Sequence, residues 1–143
     1  WNELYVAQDF MSKLRGYFFS RPFMGERAPQ HVQNIILRDY CSKRGYDFLL
    51  SVTEYAMPDS FMILESLLDD LDQVDGIVFY SLYQLPTSHE QRQSVYDRVL
   101  KPGKSLHFAV EGMSIAGEKD IEAVEQCLLV KATLDHHSPE IEL

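Results

Sequence analysis

The chain has 143 residues, of which 45% are hydrophobic, and its 22 acidic residues against 13 basic ones give a formal net charge of −9 at pH 7. This is the size of one globular domain that folds without a metal or a disulfide. The acidic balance disfavours phosphate-backbone binding, and no apolar run approaches the roughly 20 residues of a membrane span. The two cysteines, Cys41 and Cys127, make no disulfide framework. We therefore expect a single cytoplasmic domain over 1–143, with neither nucleic acid nor a membrane as its partner.

The first half of the chain predicts two strands separated by a helix. Residues 1–14 carry apolar side chains three to four positions apart, which favours an amphipathic segment that packs on the domain or on a second copy. Residues 16–20 form a buried strand, and the loop that follows is rich in glycine, proline and charge. A helix over 29–44 stops at Gly45, and residues 46–52 form the second strand.

The second half repeats this pattern. Asp59 is the expected N-cap of a second helix, in which Met62 and Leu64 begin the buried face. Thr87 and Glu90 form a capping box that starts a third helix. The remaining predicted elements are a third strand at 77–81, a fourth strand at 106–110, a fourth helix at 116–134 and a polar, frayed tail over 135–143.

Strands that alternate with helices call for an α/β fold, in which helices wrap a mostly parallel sheet. Such sheets bind ligands beyond the carboxyl ends of the strands, where the strand order reverses. This rule selects candidate site residues directly after the predicted strands. They are Ser20, Arg21 and Arg27 after the first strand, Glu54 after the second, Ser81, Tyr83 and Gln84 after the third, and Glu111 after the fourth.

Arg21 and Arg27 flank the loop after the first strand, and the next helix begins near Pro29 with its positive dipole end. This arrangement predicts an anion site for a sugar phosphate or a nucleotide diphosphate. The alternative is that both arginines pair with nearby acids such as Glu26 and Glu54.

Glu54 and Glu111 end strands that open onto the same crevice in the predicted sheet. Two carboxylates in one cleft divide the roles of catalytic acid and base if burial raises the pKa of one of them. The alternative is that each carboxylate caps a backbone turn or pairs with an arginine.

Ser81, Tyr83 and Gln84 suit a ligand rich in hydroxyl groups, because aromatic rings stack on sugars and amides bind hydroxyls. His107 lies inside the fourth strand, where we expect a neutral, hydrogen-bonded structural histidine. Cys41 lies on a helix, and we expect it to pack rather than to react. The sequence predicts neither a metal site nor a cofactor.

Several stretches of the chain resemble the catalytic domain of serine site-specific recombinases over about residues 16–115. The resemblance implies a three-layer sandwich of the flavodoxin-like or resolvase-like kind, with a four-stranded sheet of order 2-1-3-4. The matching stretches are Gly16-Tyr17, Gln33, Leu37-Arg38-Asp39-Tyr40-Cys41, Arg44-Gly45, Leu67-Leu68-Asp69-Asp70-Leu71 and residues 74–82.

The catalytic motifs of that family are missing. Its Arg-hydrophobic-Ser motif reads Phe19-Ser20-Arg21 here, and its Asp-Arg-Leu-Ser-Arg motif reads as residues 83–87, Tyr-Gln-Leu-Pro-Thr. Every arginine that would neutralise a scissile phosphate is absent from these positions. We therefore carry over the fold and none of the catalytic residues, and a DNA recombinase is a remote alternative.

The departures from the recombinase pattern resemble a second family, the sporadic carbohydrate cluster proteins of bacterial surface-polysaccharide loci. The resemblance implies a place in the synthesis of a capsule or lipopolysaccharide type of surface carbohydrate, and it supplies no catalytic residues. The strings that carry it are Ser20-Arg21-Pro22-Phe23, Pro29-Gln30-x-x-Gln33-Asn34, Glu54-Tyr55, Tyr80-Ser81-Leu82-x-x-Leu85-Pro86 and His107-Phe108-Ala109-x-Glu111.

Two functions stay open at this point. The first is the binding or transformation of a phosphorylated or nucleotide-activated sugar at the carboxyl ends of the strands. The second is a non-catalytic dimerisation or interaction module, favoured by the apolar positions of the 1–14 segment and of the long fourth helix. The sequence decides neither whether the chain is an enzyme nor whether it forms a homo-oligomer.

Overall fold

Five strands and four α-helices follow one another in the part of the chain that the structure describes. The structure is a computed structural model that describes residues 12–22, 28–57 and 59–141, with side chains up to residue 134. The elements are β1 (Lys13–Phe19), α1 (Gln30–Arg44), β2 (Asp47–Glu54), α2 (Met62–Asp69), β3 (Gly76–Phe79), α3 (His89–Leu100), β4 (Ser105–Phe108), β5 (Met113–Ile115) and α4 (Glu118–Ile141). Short 3₁₀ turns follow α2 at Leu71–Gln73 and β3 at Leu82–Gln84.

The sheet has the order β2-β1-β3-β4-β5. Its first four strands are parallel, and β5 pairs antiparallel with β4. The mostly parallel α/β sheet is confirmed, and β1 to β4 keep the expected order. The predicted strand count was wrong, because β5 spans three residues and is too short to produce a recognisable alternation of side chains.

Helices cover both faces of the sheet, as successive side chains of β1 show. Tyr17 and Phe19 pack in the larger hydrophobic cluster, which also holds the inner residues of α2, α3 and α4. Leu14 and Phe18 point to the other face and pack against Leu37 and its neighbours on α1. This alternation of buried side chains produces three layers.

The outer strand β2 contains a bulge. Arg15 and Tyr17 of β1 pair with Leu49 and Val52, so β2 holds one extra residue between these two pairs. Leu50 falls in this interval with 74% of its surface exposed, and its carbonyl accepts a hydrogen bond of 2.9 Å from the Arg15 guanidinium. Bulges of this kind interrupt the regular hydrogen-bonding edge that a strand offers to other chains.

Two helices begin at other residues than predicted. Asp59 lies outside α2, with a φ of 61°, and Phe61 is the N-cap residue of that helix. Met62 is exposed rather than buried. The cap of α3 is Ser88 rather than Thr87, and its hydroxyl accepts a hydrogen bond from the Gln91 amide (3.4 Å).

The two ends of the chain were predicted as an amphipathic segment and a polar tail. Residues 1–11 of the predicted N-terminal segment lie outside the described residues, and Lys13 and Leu14 belong to β1. The backbone of α4 is helical through Ile141 rather than ending near residue 134. Within the described ranges, no helix combines the length and the apolar character that crossing a bilayer requires.

Candidate functional site at the carboxyl edge of the sheet

The four parallel strands bring most of the predicted site residues to one edge of the sheet. Ser20 and Arg21 follow β1, and Glu54 ends β2 beside them. Ser81 follows β3, and Glu111 follows β4. The remaining predicted arginine, Arg27, lies outside the described residues, as does Glu26.

Arg21 is a nearly buried cation at this edge, with 9% of its surface exposed. Its guanidinium carbon lies 3.9 Å from the centre of the Phe19 ring and 5.0 Å from that of Phe61. One of its nitrogens donates a hydrogen bond to the Tyr55 carbonyl (3.0 Å). No carboxylate lies within ion-pair distance of Arg21 among the described residues, so the expected alternative of pairing with Glu54 does not occur.

Glu54 is buried and caps the start of α2. The amides of Ile63 and Leu64 lie in the first turn of that helix, where backbone N–H groups lack partners within the helix. A carboxylate is favoured at this positive end, so Glu54 supplies the cap that the sequence assigns to Asp59. Its five hydrogen bonds come from the Tyr17 hydroxyl (2.8 Å), the Leu64 amide (3.1 Å), the Tyr55 amide (3.0 Å), the Ser60 hydroxyl (3.3 Å) and the Ile63 amide (3.1 Å).

Glu111 holds the turn that follows β3. Its carboxylate accepts hydrogen bonds from the Ser81 hydroxyl (2.7 Å) and the Leu82 amide (2.9 Å). Ser81 follows β3 and Glu54 ends β2, so β1 separates them by two strand spacings, on the order of 10 Å. The two glutamates therefore belong to separate hydrogen-bond groups, each with the capping geometry named above as the alternative to catalysis.

A pair of buried amides spans the crevice between β1 and β3, where the strand order reverses. The Gln33 side chain on α1 donates hydrogen bonds to the carbonyls of Phe19 and Ala28, both at 2.8 Å. The Gln84 side chain, after β3, donates to the side-chain oxygen Oε1 of Gln33 at 2.9 Å. Both side chains are fully buried, and Gln84 Oε1 has no hydrogen-bond partner among the described residues.

The sequence alone assigns no role to Gln33. The signal that could have found it is an amide among the apolar residues on the inner face of α1, which includes Leu37 and Tyr40. A buried amide requires partners, and in the first turn of a helix these partners come from the preceding strand and loop.

The start of α1 lies beside this pair. Its N-cap is Pro29, no side chain caps the helix in the described part, and its first turn contains no acidic residue. The leading N–H groups of such a helix remain available, and its dipole places partial positive charge there. This end of a 15-residue helix has the properties of an anion-binding position.

Tyr83 is partly exposed, whereas Gln84 is buried. It lines a groove of about 570 Å³ between α3 and α4, together with Leu85, Arg92 and Glu125. The Arg92 guanidinium makes a bidentate pair with Glu125, at 2.8 and 2.9 Å, and these hydrogen bonds lower the pKa of Glu125. The structure therefore does not bring Tyr83 to the crevice.

His107 and Cys41 lie in the core. The His107 ring nitrogens contact the Tyr40 hydroxyl and the Ser105 hydroxyl, both at 2.9 Å, and burial lowers the pKa of His107 to about 4. Burial raises the pKa of Cys41 to about 11, so its thiol stays protonated and packs. Over the described ranges, no group of three or more His, Cys, Asp or Glu side chains has the arrangement of a metal site.

Comparison with known proteins identifies the fold. No family model matches the chain, and no curated protein matches it significantly. The chain is similar in structure to the N-terminal catalytic domain of TP901-1 integrase, with a TM-score of 0.55 and 14% sequence identity. The similarity covers 90% of this chain and 99% of that domain. The chain therefore has a resolvase-like α/β fold, and at this identity the similarity extends to the fold alone.

Proposed function

We propose that the chain binds a phosphorylated or nucleotide-activated sugar at the carboxyl edge of its sheet. The observation that carries this proposal is the buried Arg21 guanidinium, which has no carboxylate within ion-pair distance among the described residues. A buried cation is stabilised by an opposite charge at contact distance, and none lies there among the described residues. A bound anion would supply that contact.

The surroundings of Arg21 support a phosphate in particular. A guanidinium is planar and binds phosphate oxygens through two parallel hydrogen bonds. The Phe19 ring and the Tyr55 carbonyl hold this plane in one orientation before any ligand arrives. The start of α1, which no described side chain caps, opens at the same edge of the sheet, and its backbone N–H groups also favour an anion.

Binding is the part of the predicted function that the geometry supports best. All four lone-pair directions of the Glu54 carboxylate are met by its five donors, which leaves none for a substrate proton. Glu111 accepts two hydrogen bonds from the turn after β3. We therefore propose that both glutamates hold the shape of the edge, and that proton transfer, where it occurs, uses other groups.

The proposed setting is the biosynthesis of bacterial surface carbohydrates. This part of the proposal rests on the sequence strings that resemble the sporadic carbohydrate cluster family, such as Ser20-Arg21-Pro22-Phe23 and Glu54-Tyr55. Arg21 belongs to one of these strings and contacts the carbonyl of Tyr55 in another. The ligand site and the resemblance thus involve the same residues.

Calorimetric titration with UDP-glucose, UDP-N-acetylglucosamine and glucose 1-phosphate tests the proposal. We expect Arg21→Gln to weaken binding at least tenfold, because hydrogen bonds between charged groups contribute about 1.5–3 kcal/mol. Arg38→Gln is the matched control, since Arg38 also lies over an aromatic ring, that of Phe48. The absence of heat with all three compounds, or equal weakening by both variants, would contradict the proposal.

A second candidate is the non-catalytic interaction module, and α4 favours it. This helix has 24 residues, a length of about 36 Å, and it exposes more than half of the surface of Leu129, Val130 and Leu134. Large exposed apolar side chains on one helix are typical of contact with a partner or a second copy. Light scattering that finds a strictly monomeric protein at high concentration contradicts this candidate.

The DNA recombinase remains the remote alternative, favoured by the fold similarity alone. The hydroxyl of Ser20 lies at the exit of β1 and donates a long hydrogen bond of 3.4 Å to the Glu54 carbonyl. The recombinase pattern requires several arginines around its serine, and the matching positions hold other residues. Covalent capture of Ser20 on a cleaved duplex would make this alternative the leading one.

A further inference from the structure

The orientation of the Gln33 side chain is fixed by its partners. Two backbone carbonyls, of Phe19 and Ala28, lie 2.8 Å from its side-chain nitrogen. A carbonyl only accepts hydrogen bonds, so this position must hold the amide NH₂ group. The side-chain oxygen of Gln33 therefore points the other way, toward Gln84.

The orientation of Gln84 follows from that of Gln33. Because the Gln33 oxygen is an acceptor, Gln84 must present its NH₂ group there, and the two atoms lie 2.9 Å apart. Turning the Gln84 amide over would bring two oxygens together. The Gln84 oxygen is thereby left with no donor among the described residues, although the side chain is completely buried.

An unpaired buried acceptor is costly, at about 1–3 kcal/mol, and native proteins contain few of them. This one lies in the crevice between β1 and β3, where the strand order reverses and where open α/β sheets bind ligands. It is joined through Gln33 to the first turn of α1, the proposed phosphate position. The missing donor is therefore next to the place where an anionic ligand is expected.

We propose that the Gln84 oxygen accepts a hydrogen bond from a hydroxyl or amide N–H group on the sugar of the bound ligand. The inference rests on the binding function proposed above and adds a selectivity to it. Arg21 and the start of α1 bind the phosphate, and Gln84 distinguishes a ligand that carries a donor beside the phosphate from an anion that lacks one. A site built to pair with a hydroxyl rejects ligands without it, because its own polar group is then left unpaired.

The test compares a donor-bearing ligand with a bare anion. Calorimetry gives the affinity of the protein for UDP-glucose, for UDP-N-acetylglucosamine and for inorganic pyrophosphate, which contains neither a sugar nor an amide. We expect the wild type to bind one of the nucleotide sugars at least tenfold more tightly than pyrophosphate. Gln84→Met, which nearly preserves length and packing, should reduce this ratio about tenfold and change the affinity for pyrophosphate less than twofold.

Gln91→Met is the matched control. It makes the same exchange of side chains on the exposed surface of α3 and leaves the contact between Gln33 and Gln84 intact. We expect it to leave both affinities, and therefore their ratio, as in the wild type. Thermal unfolding of each variant confirms that it is folded.

The outcomes separate this inference from the function on which it rests. If the wild type binds neither nucleotide sugar nor pyrophosphate, both proposals are wrong. If it binds a nucleotide sugar and Gln84→Met leaves the ratio unchanged, or weakens both ligands equally, the binding function stands and the role of Gln84 is overturned. A reduced ratio in Gln84→Met, with the ratio retained in Gln91→Met, supports the inference.

Discussion

The hydroxyl of Tyr17 on β1 donates a hydrogen bond of 2.8 Å to the carboxylate of Glu54 at the end of β2. Both side chains are buried, and burial together with Glu54 raises the pKa of Tyr17, so the tyrosine remains the donor. The same carboxylate accepts the leading amides of α2. One side chain thereby joins two strands to a helix and shapes the segment that lies against Arg21.

We expect Glu54→Gln to destabilise the fold by about 2–4 kcal/mol. An amide presents an NH₂ group to donors that need an acceptor, and buried donors left unpaired cost about 1–3 kcal/mol each. Urea denaturation gives the free energy of unfolding. The control is Glu90→Gln, on the exposed surface of α3, which should stay within about 0.5 kcal/mol of the wild type. A loss below about 1 kcal/mol for Glu54→Gln would show that the cap matters little.

The stability of the fold should fall as the pH is lowered from about 6.5 to about 4. Burial lowers the pKa of His107 from 6.5 to about 4. Between these two pH values the unfolded chain therefore binds a proton at this histidine, and the folded chain does not. The neutral histidine contributes about 3 kcal/mol to the free energy of unfolding. This contribution is fully present above the pKa of the unfolded chain and is lost as the pH falls to the pKa of the folded chain. Urea denaturation at several pH values measures it.

His107→Gln is the comparison for this pH dependence. Glutamine has no titrating group, so the variant should lose the part of the slope that lies between pH 6.5 and 4. His89→Gln replaces an exposed histidine and should keep that slope. Equal slopes in the wild type and His107→Gln would assign the pH dependence to the carboxylates instead.

Gly16→Ala should destabilise the protein by about 2 kcal/mol or more. A Cβ at Gly16 would lie 2.6 Å from the Cβ of Ser51 and 3.0 Å from side-chain atoms of Leu37 and Phe48, so packed neighbours must move. Gly117→Ala is the control, because nothing lies within 4 Å of its added Cβ. It should be neutral or slightly stabilising. Thermal unfolding compares the two, and equal midpoints would contradict the close packing of β1 against β2 and α1.

Tyr96→Phe should cost about 1 kcal/mol. The Tyr96 hydroxyl donates a 2.5 Å hydrogen bond to Glu125, whose carboxylate also pairs with Arg92, so Phe removes one donor and keeps the ring. Arg92→Met should cost more, about 2–3 kcal/mol, because Arg92 also holds the carbonyls of Pro86 and Thr87. Chemical denaturation ranks the two variants. The reverse order would show that Arg92 does not hold the turn before α3.

The position of β3 was predictable because this strand is a short, continuously apolar run. Residues 77–79 are all completely buried, and no helix pattern fits them. The stop of α1 at Gly45 was predictable for a local reason, since its φ of 74° suits glycine. Features that depend on neighbouring residues along the chain could thus be predicted from the sequence.

Features set by distant residues were not predictable. The cap of α2 comes from Glu54, which precedes the helix by eight positions and reaches it only because β2 ends beside it. Asp59 has a side chain typical of an N-cap, but Phe61 occupies the N-cap position of α2. The partnership of Gln33 and Gln84 spans 51 positions and depends on β1 lying next to β3. Sequence located Gln84 at the edge but gave no reason to single out its oxygen.

The bulge at Leu50 limits how copies of this chain can assemble. A regular outer strand can pair with a strand of another sheet. Here the Leu50 carbonyl already accepts a hydrogen bond from Arg15, and the register of β2 is interrupted. A continuous intermolecular sheet through β2 is therefore disfavoured. The same interruption opposes the growth of a fibre by the addition of strands to this edge.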